Sequence, residues 1–139
     1  MKIDQKLVDA AIELMNSKFP NTSGGAAAMY TKSGKILTSV GIEKALNDSV
    51  NLCHETGSIL EAVKLGEEIT ASVCVSREGA DGPILILTPC GICQERLWIW
   101  GENVEVAVPT AVDPTKWEGH TLKEVQPYYW GKVYKKRDN

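Results

Sequence analysis

The sequence predicts one three-layer α/β domain spanning residues 1–139, and three observations carry that expectation. Segments with helical spacing of apolar residues alternate with short β-rich runs, the order of helices packed on a mixed sheet. The 139 residues suffice to bury one core without disulfides. No linker, repeat or low-complexity stretch divides them.

Each element has its own signal. From Asp4 to Phe19, Leu7, Val8, Ala11, Ile12 and Met15 recur on one helical face, with Asp4 as N-cap and Pro20 as the stop. Residues 26–31 and 35–40 read as a hairpin around Ser33 and Gly34. A polar loop through Asn47, Asp48 and Ser49 leads to a helix starting near Cys53, capped by Asn51, and ending at Leu65 before Gly66. Residues 69–76 and 84–87 are β-rich and flank a Gly/Asp/Pro turn at 79–83. Pro89 opens a helix with Cys90, Cys93 and Leu97 on one face. Residues 104–108 read as a strand, 109–119 as a loop, and the remainder as a tail.

Composition narrows the function classes. The apolar share of 43% and charged share of 24% are those of an ordinary soluble domain. Asp9 and Glu13 interrupt the first apolar positions, which a signal-peptide core does not tolerate, so a cytoplasmic location is expected. Apolar runs such as Ile84 to Leu87 are strand-sized, and no membrane association is expected. A net charge of -3 points away from a nonspecific nucleic-acid binder. The basic cluster from Lys132 to Arg137 reads as a solvated tail.

Four cysteines in a chain with no secretory signal read as thiols or metal ligands. Cys90 and Cys93 stand one helical turn apart at a predicted helix start, where the helix dipole favours thiolate. Alone, that pair fits a redox dithiol as well as a metal site. Cys53, at a second predicted helix start, supplies a third thiol, and three protein ligands leave the fourth tetrahedral position of zinc open for catalysis. His54 diverges from its neighbour Cys53 on a helix, and Cys74 reads as a small core hydrophobe. Two other readings stay open on these residues: a structural zinc module using Cys74 or His54 as fourth ligand, and a thiol-disulfide oxidoreductase built on Cys90 and Cys93.

Cys53-His54-Glu55 followed by Pro89-Cys90-Gly91-Ile92-Cys93 matches the ligand-x-Glu and Pro-Cys-x-x-Cys pattern of zinc nucleobase deaminases. Gly34-Lys35-Ile36 and the segment Thr121 to Pro127 extend the match, and the chain resembles the cytidine deaminase superfamily over nearly its whole length. The resemblance implies a five-stranded mixed sheet flanked by helices, a homotetramer or dimer, and one Zn2+ per chain held by Cys53, Cys90 and Cys93. It further implies hydrolytic deamination of a cytosine nucleoside, with zinc activating water and Glu55 carrying protons. The Thr88 carbonyl would accept a hydrogen bond from the departing amine.

Two departures from the family pattern shape the expectation. The Asn-x-Glu ribose element has Gly41-Ile42-Glu43-Lys44 in its place, with neither residue matching in register. The arginine that usually follows the last cysteine and offsets the negative site is Gln94, and Arg96 is the nearby substitute. Loss of the ribose element, with Tyr128-Tyr129-Trp130 near the end, is similar to the blasticidin S deaminase branch, which acts on a cytosine nucleoside antibiotic. That similarity implies substrate contacts from Ser23, Tyr128 and Trp130, with Trp130 reaching a neighbouring subunit's pocket. Trp98 and Trp100 read as packing residues, and His120 as a solvated loop residue.

Overall fold

Asp4 starts the first helix as its spacing predicts: its Oδ1 accepts the Leu7 amide at 3.0 Å, and α1 runs Gln5–Lys18. The same oxygen accepts the Tyr30 hydroxyl at 2.8 Å, tying the helix start to the sheet. The computed structural model describes residues 2–43 and 46–134. Lys44, and residues 135–137 of the basic cluster, lie outside the described residues.

The strands are β1 (Gly24–Thr31), β2 (Ile36–Ser39), β3 (Ile69–Arg77), β4 (Leu85–Ile86), β5 (Glu105–Pro109) and β6 (Trp117–Thr121). Their main path is β2-β1-β3-β5-β6, with the two-residue β4 pairing β3 as a sixth strand. All pairings are antiparallel except β3 with β5, which are parallel and register Ala71 with Glu105. Parallel neighbours need a crossover. Here it contains α3 (Gly91–Leu97), the helix of the Cys-x-x-Cys pair.

Strand alternation sorts the core into two layers. Ala26, Ala28 and Tyr30 of β1 and Ala71, Val73 and Val75 of β3 face Leu7, Val8, Ala11 and Met15 of α1. The alanines let that helix approach the sheet closely. On the opposite face Met29, Ile69 and Val106 meet Ile59 and Ala62 of α2 (Thr56–Leu65) and Leu97 of α3. Cutting the fully buried Leu7 to alanine would cost about 2–5 kcal/mol, the scale of such core truncations.

Three local expectations change. Cys53 precedes α2 rather than starting it, and Asn51 ends a short 3-10 turn, Asp48–Val50. α3 takes Cys90 as its N-cap residue, one position after Pro89. Part of the 109–119 stretch and the tail beyond it are ordered as β6 and α4 (Leu122–Val125), the latter closed by a Thr121/Glu124 capping box. His120 therefore lies in a strand. Its ring nitrogens meet Glu118 at 3.0 Å and Glu124 at 3.2 Å.

Candidate active site

The turn 53–55 hangs between β2 and α2, and Ser39 at the end of β2 fixes it. Ser39 Oγ donates to the His54 carbonyl at 2.6 Å and accepts the Ser58 amide at 3.0 Å, one of the donors a helix start leaves unpaired. A Cβ at Gly57 would stand 2.8 Å from that of Ser39, so only glycine permits this approach.

This arrangement frees Glu55. It occupies the N-cap position of α2 with helical φ and ψ of -75° and -22°, yet its side chain makes no cap hydrogen bond. The residue is 4% exposed. It lies near enough to Cys53, Cys74 and Cys93 that a negative charge on it opposes ionisation of all three thiols.

Cys53, Cys90 and Cys93 converge, their sulfurs all within 4.8 Å of one another. Cys53 and Cys90 are 3.5 Å apart. Three thiolates on a tetrahedral zinc stand about 3.8 Å apart, given Zn–S bonds of about 2.3 Å, so this donor set fits that ion. Burial opposes ionisation of Cys90, but the Cys93 amide, the Cys53 thiol and the Ile92 amide outweigh it and bring the pKa below the ordinary thiol value. Cys53 shifts upward through burial and its contact with Cys90. Burial, then the Glu55 charge, pushes Cys93 well up. Neutralising such thiolates takes a cation.

Neither proposed fourth ligand joins the cluster. His54 Nδ1 accepts the Gly41 amide at 3.3 Å, which leaves the proton on Nε2, facing Glu43 at 2.7 Å. Both nitrogens are engaged away from the sulfurs. Gly25 makes room for this ring, since a Cβ there would come within 2.5 Å of His54 Nε2. Cys74 is buried in β3, as expected of a core residue, and burial, followed by the nearby Glu55 charge, raises its pKa well above the ordinary thiol value.

The remaining candidates are distributed around this centre. Arg96 Nη1 donates to Thr56 Oγ1 at 2.9 Å, so its positive charge lies beside the residue that follows Glu55. Gln94 Nε2 bonds the Pro89 carbonyl at 2.8 Å and braces the Cys90 turn. Thr88 is exposed next to buried Pro89 and exposed Cys90. Ser23 Oγ accepts the Gly79 amide at 2.8 Å, anchoring the turn after β3. Tyr128 is fully exposed, whereas Trp130 Nε1 donates to Glu95 of its own α3 at 3.0 Å. Tyr129 stacks on Trp98 at 4.0 Å and also donates to Glu95. An open pocket of about 590 Å³ borders this aromatic tail, lined by Trp98, Trp100, Glu102, Tyr129, Lys132 and Tyr134 and by none of the cysteines.

Sequence reading passed over Ser39, Glu43 and Glu95. Each acts through a partner at least 11 positions away, at Ser39–His54, Glu43–His54 and Glu95–Trp130, and no local pattern marks such pairs.

No protein-family model and no curated protein matches the chain. Solved structures do. The crystal structure of the cytidine deaminase from Bacillus anthracis is 42% identical with a TM-score of 0.86, covering 94% of this chain and 91% of that one. Cytidine deaminases from Mycobacterium leprae (23% identity, TM-score 0.65, 88% of this chain and 96% of that one) and Burkholderia pseudomallei (20%, 0.68, 92% and 99%) share the fold. With 42% identity along nearly its full length and the three-cysteine cluster in place, the chain belongs to the cytidine deaminase family.

Proposed function

We propose that this protein is a zinc-dependent hydrolytic deaminase that converts cytidine or a related cytosine nucleoside to its uracil analogue and ammonia. The observation that carries the reading is the convergence of three thiols from two separate segments beside a buried carboxylate with no capping duty.

Cys53, Cys90 and Cys93 would hold one Zn2+ per chain. When bound, zinc supplies the Lewis acidity that makes water a nucleophile at neutral pH. Glu55 takes one proton from the attacking water to N3 of the ring, where it stays, and then the second from the new C4 hydroxyl to the amino group, so that C4=O forms as the C4–N bond breaks and ammonia leaves. The Thr88 carbonyl accepts a hydrogen bond from that amine. Arg96, through Thr56, offsets the surplus negative charge of three thiolates beside Glu55. A structural zinc module finds less support, because His54 is engaged by Gly41 and Glu43 and the clustered ligands are the three cysteines.

The protein works as a homo-oligomer, tetramer or dimer. Leu60 and Val63 on α2, Ile92 on α3 and Ile99 in the 3-10 turn that follows it are exposed apolar residues, a pattern that supports burial against another copy. Ser23, Tyr128 and Trp130 contact the substrate, Trp130 from a neighbouring subunit.

Ammonia release from cytidine, deoxycytidine and an aminoacylated cytosine nucleoside antibiotic tests the reading. Turnover of the antibiotic in preference to the other two would assign the blasticidin S-type reaction. Turnover of none by zinc-loaded protein would refute the deaminase reading.

A further inference from the structure

We propose that Glu95 is a positioning residue for substrate binding: its carboxylate orients the Trp130 indole, and through that ring it sets the affinity of a neighbouring subunit's site. This rests on the reading of Trp130 as a substrate contact made across subunits.

Glu95 lies half-buried in α3. Its Oε1 accepts both the Tyr129 hydroxyl and the Trp130 Nε1–H at 3.0 Å, and Oε2 stands 3.1 Å from the same indole nitrogen. An indole has one N–H to donate, and among the described residues Glu95 receives it. Tyr129 has a second hold, because its ring lies flat on Trp98 with centroids 4.0 Å apart and planes 6° apart. The Trp130 ring meets Tyr129 and Tyr134 only at tilted or edge-on angles, with centroids 5.8 Å apart in each pair. Its direction therefore depends on the hydrogen bond.

The tail beneath the indole is seated by other contacts. Gln126 Oε1 accepts the Trp98 Nε1–H at 3.2 Å, and Lys132 Nζ stands 5.8 Å from the centroid of the Trp98 ring. Gly131 lets the chain fold back there, since a Cβ at that position would collide with the Tyr129 ring. Loss of Glu95 thus frees the indole and leaves the tail docked. A ring that is 61% exposed and held by one acceptor is already in place before a neighbour's substrate arrives, which spares the rotamer freedom that binding would otherwise remove.

Steady-state kinetics of zinc-loaded variants test the role. Trp130→Phe, which keeps a ring and removes the N–H, should raise KM about threefold to tenfold with kcat unchanged, the effect of losing one modest hydrogen bond that acts on binding alone. Glu95→Ala should do the same, and adding it to Trp130→Phe should change KM no further. Glu95→Gln should keep KM near the wild-type value, because one amide oxygen can accept both donors. A purely structural role would lower stability and leave KM alone. Glu95→Ala chains mixed with inactive Glu55→Gln chains, whose Trp130 is correctly held, should regain the wild-type KM at hybrid sites. A KM that stays raised there shows Glu95 acting within its own chain and overturns the proposal. A normal KM in Trp130→Phe beside a raised one in Trp130→Ala also overturns it, while the substrate contact stands. A normal KM in Trp130→Ala would instead refute that contact, and the positioning role with it.

Discussion

The sulfurs of Cys53 and Cys90 lie 3.5 Å apart although 37 positions separate them in the chain. One thiol comes from the turn before α2 and the other from the cap of α3, so the fold itself, and not the spacing of a single loop, assembles the centre.

Purified protein should therefore carry about one zinc per chain, measured by elemental analysis. Cys53→Ser, Cys90→Ser and Cys93→Ser should each lose metal and thermal stability together. Cys74→Ser should retain the metal. Zinc loss from Cys74→Ser as complete as from the other three would refute the three-ligand site.

Ser39→Ala removes the acceptor of the Ser58 amide and the donor to the His54 carbonyl. A loss of about 1–3 kcal/mol in denaturant unfolding is expected, because a buried amide at a helix start is left unpaired. The same variant should weaken turnover, since the turn it holds carries Cys53 and Glu55. Unchanged unfolding and turnover would mean that another group anchors this turn.

The His120 clamp gives a pH dependence with a definite sign. Glu118 and Glu124 raise the His120 pKa above 6.5, so its contribution is fully present below pH 6.5 and fades as pH rises through the folded value. The Thr121 amide, His120 and the Thr121 hydroxyl lower the Glu124 pKa below 4.5, and that contribution is present above pH 4.5 and fades on acidification. Both act in full between those values. His120→Gln should thus lower the unfolding midpoint most in that window and converge with wild type on the alkaline side. A difference independent of pH would show that the ring acts by packing alone.

The extent to which the sequence could be read follows from where each partner lies. Cys53, Glu55, Cys90 and Cys93 are legible because the chemistry demands fixed residue types at short spacing, and α1 is legible because its apolar stripe and Asp4 cap are local. β6 was not: Trp117 to Thr121 carries Glu118 and Gly119 and has no alternating pattern, and it is a strand because β5 offers it a partner. α4 did carry a signal, the Thr121-x-x-Glu124 capping box, which sequence reading passed over in favour of the family segment. The Glu43–His54 contact exists only after the chain has folded, so it left no trace in local composition.

Trp130 tests whether the site is shared. Within its own chain its indole is held by Glu95 but remains 61% exposed, free to present a face to a neighbour. Trp130→Ala should raise KM with zinc content and oligomeric state intact. Mixing it with Glu55→Gln chains should restore activity at hybrid sites. Full activity in a monomeric wild-type protein would rule out a shared site.

Glu55→Gln tests the central claim most directly. It is nearly isosteric at a 4% exposed position and is assigned no ligand role, so the variant should fold and hold about one zinc per chain. Steady-state ammonia release should fall by about 10²–10⁴-fold, the usual contribution of a general acid-base group. A zinc-loaded variant that keeps more than about a tenth of wild-type turnover would contradict the account, since a residue of that small effect cannot carry the protons.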